Sequence, residues 1–129
     1  MPAMPDRPYS IAFHPELDLC DIHWTRLFTP DMAELYATDL TGRFVAAGFS
    51  PGYRLRIAMS ACLVQPRDAA LAINTRLSDF PKASRIAVVV GSTLQRMQVR
   101  RFMSQPYLQI FDDRNASYRW LLTEDRDAA

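Results

Sequence analysis

The sequence predicts a single α/β domain. Its mixed sheet would open with an N-terminal β-hairpin and continue as βα units, in the order ββαβαβαβα. Three observations carry this. Two alternating segments, Tyr9–His14 and residues 19–25, lie close together near the start. A non-alternating apolar block at residues 86–90 has the pattern of a parallel strand covered on both faces. Helix-start signals recur at Thr29-Pro30-Asp31, Pro66-Arg67-Asp68, Ser92-Thr93 and Asp113.

Each element follows from its local pattern. Tyr9, Ile11 and Phe13 share one face of the first strand. Pro15-Glu16-Leu17-Asp18 reads as a turn. In the second strand Cys20, Ile22 and Trp24 share a face, and Asp21, His23 and Thr25 take the other, half-wet one. Thr29 is the N-cap and Pro30 the first position of a helix expected over 30–47. Met32, Leu35, Tyr36, Leu40 and Phe44 recur on its core face. Gly42 weakens it by about 1 kcal/mol relative to Ala, and Gly48 ends it.

Residues 53–60 alternate Tyr53, Leu55, Ile57 and Met59 against Arg54, Arg56, Ala58 and Ser60, which predicts a third strand with one polar side. Beside the second strand, Asp21 would lie across from Arg54 or Arg56. Such an exposed pair contributes about 0–1 kcal/mol. That polar face would meet solvent or, in a homodimer, a second copy of the chain. A second helix is expected over 66–80, ended by Pro81, with Ala69 or Ala70, Ile73, Leu77 and Phe80 inward.

The third helix, over 93–103, would turn Leu94, Met97 and either Val99 or Phe102 inward. Arg96 and Arg100 share another face by their i,i+4 spacing. The fifth strand is 108–111. Asp113 caps a last helix whose inner face is Ala116, Trp120 and Leu121. The domain therefore spans 9–122, between a disordered lead at 1–8 and a polar tail at 123–129.

The 129 residues suit one domain, which buries about two-thirds of its unfolded surface and needs no disulfide staple. Cys20 and Cys62 lack CxxC spacing and read as buried thiols in a reducing compartment. With His14 and His23 they form no zinc pattern, so no metal is expected, and no cofactor either. A net charge of +1, with acids and bases interspersed, argues against a nucleic-acid partner. No apolar run approaches the roughly 20 residues of a transmembrane segment. The first residues lack the apolar region of a signal peptide. The expected address is the cytoplasm, with a peripheral seat on the inner membrane as the alternative.

Gly42, Gly48, Gly52 and Gly91 are the only glycines, so GxGxxG, Walker A and GxSxG loops cannot be built. No nucleophile stands at a recognisable spacing from a base, and the chain is expected not to be an enzyme. Three candidate sites remain. Ser92 and the strand-to-helix joint before it could hold an anion at a helix N-terminus, or simply cap the helix. Arg96, Arg100 and Arg101 could meet anionic headgroups or an acidic partner, or form an ordinary solvated face. Ile73, Leu77, Phe80, Met97 and Phe102 could line an apolar ligand site, or be plain core.

Arg85-Ile-Ala-Val-Val-Val-Gly91-Ser92, then Leu94-Gln-Arg-Met97-Gln-Val-Arg-Arg101, then Ile110-Phe-Asp-Asp113 and Trp120-Leu-Leu122, together resemble the SpoIIAA-like branch of the STAS superfamily. That superfamily is named for sulfate transporters and anti-sigma-factor antagonists. The resemblance implies a mixed sheet with helices, no cofactor, and a role in binding or regulation in a bacterial cytoplasm. In the antagonists, a Ser at the start of the second helix is phosphorylated by a partner kinase. Here that helix opens Val64-Gln65-Pro66-Arg67 and the nearest upstream hydroxyl is Ser60, so no phospho-acceptor is carried over. Some SpoIIAA-like members look like relatives of lipid-carrying folds, with an apolar ligand under mobile helices.

Two functions are thus expected to compete: a non-enzymatic regulatory domain with a protein partner, and a small apolar-ligand or lipid-binding protein that visits membranes peripherally. An enzyme of unknown type is the third alternative. If the membrane reading holds, Arg96, Arg100 and Arg101 should lie beside exposed Leu, Met or Phe.

Overall fold

Alternation and capping produce ten short elements in the computed structural model, which describes residues 7–62 and 64–123. They are β1 (Tyr9–His14), a 3-10 turn (Pro15–Leu17), β2 (Leu19–Trp24), α1 (Pro30–Ala46), β3 (Arg54–Ala58), α2 (Arg67–Arg76), β4 (Arg85–Val89), α3 (Thr93–Phe102), β5 (Leu108–Phe111) and α4 (Arg114–Leu121). The caps are those the residues dictate. Thr29 Oγ1 accepts from the Met32 N–H at 3.1 Å, Ser92 Oγ from the Gln95 N–H at 3.1 Å, and Asp113 Oδ1 from the Asn115 N–H at 3.1 Å. Asp18 closes the hairpin turn in the left-handed region, at φ 52°. Gly48 leaves α1 at φ 75°, a conformation that Cβ-bearing residues rarely adopt.

The sheet runs in chain order β1-β2-β3-β4-β5. β1 is antiparallel to β2, and every later pairing is parallel. Ile22, Ile57, Val88 and Ile110 stand in one row across the parallel strands. Right-handed crossovers that always advance in the same direction lay their helices on one face. Tyr36, Leu40 and Phe44 of α1, Ala69 and Ile73 of α2, and Val99 of α3 accordingly share a core with that row. α4 has no strand to return to and folds across the opposite face, where Leu121 packs with Leu19 and Ala87.

Several expectations change. Leu35 points outward from α1. α2 ends at Arg76, so Leu77 and Phe80 belong to the coil before β4, although both still turn toward the core. The centre of the polar sides of β2 and β3 is not left to solvent: α4 covers Asp21 and Arg56, which are 5 % and 1 % exposed. α3 is rotated from the expected phase. Gln95 and Val99 are buried, whereas Leu94 and Met97 are 65 % and 55 % exposed. Most of the expected lead and tail lies outside the described residues. At the edges, the Arg7 guanidinium pairs with Asp39 at 2.8 Å, the Pro8 carbonyl accepts from the Thr25 N–H, and Thr123 Oγ1 donates to the Arg119 carbonyl.

Candidate functional site

The two ends of the helical layer are filled differently. Under α1 the space is packed with rings. Tyr9, Trp24, Phe28 and Tyr36 form one cluster, and Phe13, Phe44, Phe49, Tyr53 and Phe80 a second. Toward α2 and α3 the ring packing gives way, and Trp24, Tyr36, Phe80 and Phe102 border open space. A cavity of about 710 Å³ opens there. Its floor is Leu55, Ile57, Met59 and Ile86 of the sheet side; its roof is Ile73 of α2, Leu77 and Phe80 beyond it, and Val99 and Phe102 of α3. Asn74, Ser78, Lys82, Ser104 and Gln105 supply polar groups to the lining. The volume falls within the roughly 300–1,000 Å³ of small-molecule sites, and the mixture of a mostly apolar wall with a few polar groups is typical of them.

Burial pushes the Cys20 thiol up to about 12 and raises Cys62 as well, so neither offers a thiolate near neutrality. Burial also raises the Tyr36 and Tyr53 hydroxyls well above the usual phenol range, keeping both neutral. Among the described residues, no group of three His, Cys, Asp or Glu side chains could hold a metal ion.

Of the apolar residues singled out from the sequence, Ile73, Leu77, Phe80 and Phe102 line the cavity and Met97 does not. The reason is the rotation of α3, which three glutamines impose. Gln95 Oε1 accepts from the Gly91 N–H at 2.6 Å, while its Nε2 donates to the Met59 carbonyl at 2.7 Å and to the Cys62 carbonyl. Gln98 clamps the Gln65 backbone from both sides, accepting from its N–H at 3.0 Å and donating to its carbonyl at 2.7 Å. The Gln65 side chain then accepts from the Phe28 N–H and donates to the Arg26 carbonyl. Orphaned backbone groups are costly to bury, so these amides determine which side of α3 faces in. Sequence reasoning passed over all three. A Gln at N3 after a Ser cap is the one local signal that pointed to Gln95.

The same bonds hold the β3–α2 joint, where the antagonist branch keeps its phospho-acceptor. Gln65 and Pro66 there are tied to α1's approach and to α3. Ser60 is exposed just upstream, with its carbonyl only 3.1 Å from where a Cβ on Gly91 would stand. Gly91 therefore serves close backbone approach, and Ser92 serves as a cap.

The arginines occupy the outside of α3. Arg96 is half-buried, Arg100 and Arg101 are exposed. Arg96 and Arg100 border a groove of about 440 Å³ between α3 and β5, with Met103, Gln105 and Gln109. Leu94, Met97 and Arg101 share the outermost stripe by their i, i+3, i+7 spacing.

The opposite face holds the one buried ion pair we find among the described residues. Arg56 grips Asp21 with two bonds, Nε to Oδ1 at 2.9 Å and Nη2 to Oδ2 at 2.8 Å. The Tyr118 hydroxyl of α4 donates to the same carboxylate at 2.9 Å, and its ring lies 3.9 Å from the guanidinium carbon. Burial works to raise the Asp21 carboxyl, but the Arg56 bonds and charge, with Tyr118, outweigh it and hold the group below the usual carboxylate range. Burial, against the pull of Asp21, lowers the neighbouring His23. Arg56 and Asp21 hold each other behind α4 and seat that helix, while the buried Arg56 Nη1 has no hydrogen-bond partner among the described residues.

No protein-family model matches this chain, and no curated protein matches it significantly. Solved structures do. An uncharacterized protein of the DUF3478 family with a SpoIIAA-like fold, from Shewanella loihica PV-4, superposes with a TM-score of 0.65. The alignment covers 94 % of this chain and 99 % of that one at 16 % identity. At this identity the likeness concerns the fold: the chain has the SpoIIAA-like architecture, with the order ββαβαβαβα. Among the described residues, no helix is long and apolar enough to cross a membrane.

Proposed function

We propose that the protein is a non-enzymatic STAS-like binding domain that holds an apolar ligand between its sheet and α2–α3. The observation that carries this reading is the cavity of about 710 Å³ with Ile73, Leu77, Phe80 and Phe102 in its wall. An apolar cleft of that size leaves its lining side chains short of contact partners. A ligand with an apolar body and one polar end would restore those contacts and leave its head among Asn74, Ser78 and Gln105. Native mass spectrometry of gently purified protein tests it. A non-protein mass should accompany the folded chain and should disappear when Leu77→Trp fills the space. A bare polypeptide mass from several expression hosts would refute ligand carriage.

A second reading is a regulatory domain that acts through a protein partner, without a phospho-switch at the β3–α2 joint. The SpoIIAA-like fold favours it. Affinity capture from the native host should then return one partner reproducibly, and the capture should survive Ser60→Ala. Repeated capture of nothing above background would count against it.

A further inference from the structure

The near-neutral total charge hides a local imbalance. Residues 80–111 contain Lys82, Arg85, Arg96, Arg100 and Arg101 and not one Asp or Glu; the other ten basic residues share the rest of the chain with all fourteen acids. Three of those five arginine and lysine side chains project from α3. Among the described residues, no hydrogen bond or ion pair engages the Arg96, Arg100 or Arg101 side chain. Arg7, Arg43, Arg56 and Arg76, by contrast, are each bound to a carboxylate or a backbone carbonyl. Beside them stand the two most exposed large apolar side chains of α3, Leu94 at 65 % and Met97 at 55 %. Leu94, Met97 and Arg101 form the ridge of the helix, with Arg96 and Arg100 beside the groove toward β5.

We infer that this outer face of α3 docks on an anionic lipid bilayer. The two apolar side chains would enter the acyl boundary while the three guanidiniums, on long stems that can lie along the interface, pair with lipid phosphates. The groove between Arg96 and Arg100 is lined by Ser104, Gln105 and Gln109 and can accept a phosphate's oxygens. An anionic membrane fits better than an acidic protein because the apolar patch is only two flexible side chains on one ridge. That is far short of the roughly 1,000 Å² of complementary surface a specific protein interface needs, whereas a bilayer supplies many phosphates to a small patch. The inference goes beyond the cavity reading and does not rest on it. The two are linked by geometry: Val99 and Phe102 line the cavity from the inner side of the helix whose outer side would meet the lipid.

Vesicle flotation of the full chain tests it, with phosphatidylcholine vesicles alone and with vesicles containing phosphatidylglycerol. The chain should float with the second kind and not the first, and added salt should release it. Each arginine should contribute about fivefold in partitioning, so Arg96→Ala with Arg100→Ala and Arg101→Ala should lower it about a hundredfold. Leu94→Gln with Met97→Gln should weaken binding at high and low salt alike. All five side chains are on the outside of the fold, and an unchanged thermal unfolding curve checks that the variants fold. Leu94→Trp should shift to bluer emission on anionic vesicles. Equal binding to both vesicle types, unchanged flotation of the triple variant, or an unshifted Leu94→Trp spectrum would each overturn the proposal. Failure to float, combined with retention on polyglutamate, would assign the face to an acidic protein instead. Leu77→Trp keeps flotation and loses the ligand mass, so failure of the cavity reading and failure of this one are distinguishable.

Discussion

The α1 end and the α2–α3 end of one helical layer rest on the same sheet face, and they differ in what fills them. Under α1, aromatic rings interlock: Phe44 lies 4.9 Å from Tyr53 and 5.0 Å from Phe80, centre to centre. Toward α2 and α3, Trp24, Tyr36, Phe80 and Phe102 join aliphatic side chains around about 710 Å³ of open space. The difference teaches that the scaffold and the site adjoin within one layer and share Trp24, Tyr36 and Phe80 at their border. The close-packed end positions the helices, and the open end is free to bind. On the opposite face no such space is left, because Asp21 and Arg56 could not be left facing a void without partners.

Breaking the filled end should give the largest effect. Phe44→Ala removes a ring from the centre of its cluster and should cost about 3–5 kcal/mol of stability, measured by urea unfolding. Asp21→Ala, which strands the Arg56 guanidinium behind α4, should cost a similar 3–5 kcal/mol. Next comes Gln95→Ala, which removes the side-chain partner of the Gly91 N–H and the Cys62 carbonyl and one of the donors to the Met59 carbonyl. It should cost about 1–3 kcal/mol and speed amide hydrogen exchange through residues 59–66. Leu77→Ala, at the open end, should cost about 1–2 kcal/mol, at or below the low end for a buried leucine because its side chain already borders empty space. A loss from Leu77→Ala as large as that from Phe44→Ala would erase the distinction between the two ends.

The smallest expected effect is the acid dependence on the opposite face. Asp21 has a folded pKa below its ordinary value of 3.8. A depressed carboxylate contributes stability that is complete above the unfolded pKa and is lost as pH falls through the folded one. Wild type should therefore lose stability faster below about pH 4 than Asp21→Asn does, measured by thermal unfolding at stepped pH. Parallel acid profiles for the two would show that the carboxylate is not held by Arg56 and Tyr118.

Much of this was legible in the chain. Alternation in Tyr9–His14 and Leu19–Trp24, the unbroken block in β4, and the Thr29, Ser92 and Asp113 caps mark their elements because period and capping are local properties. The site was legible in part. Ile73, Leu77, Phe80 and Phe102 were recognisable as inward-facing, but Met97 was misplaced. Hydrophobic spacing assigns the buried side of a helix to its apolar residues, whereas α3 buries Gln95, whose amide satisfies distant backbone. Asp21 and Arg56 looked like an exposed pair because their own strands carry no trace of the helix that arrives nearly a hundred residues later, in Tyr118.

The sequence by itself determined the element order, the caps and the two sheet faces, because each is written in contacts between near neighbours or in strict alternation. Only the tertiary structure decided three things: that α4 seals the polar face, that α3 turns Leu94 and Met97 outward, and that α2 and α3 leave a cavity over the sheet. Each depends on where a remote element comes to rest, and that is settled by long-range packing and by buried polar groups finding partners.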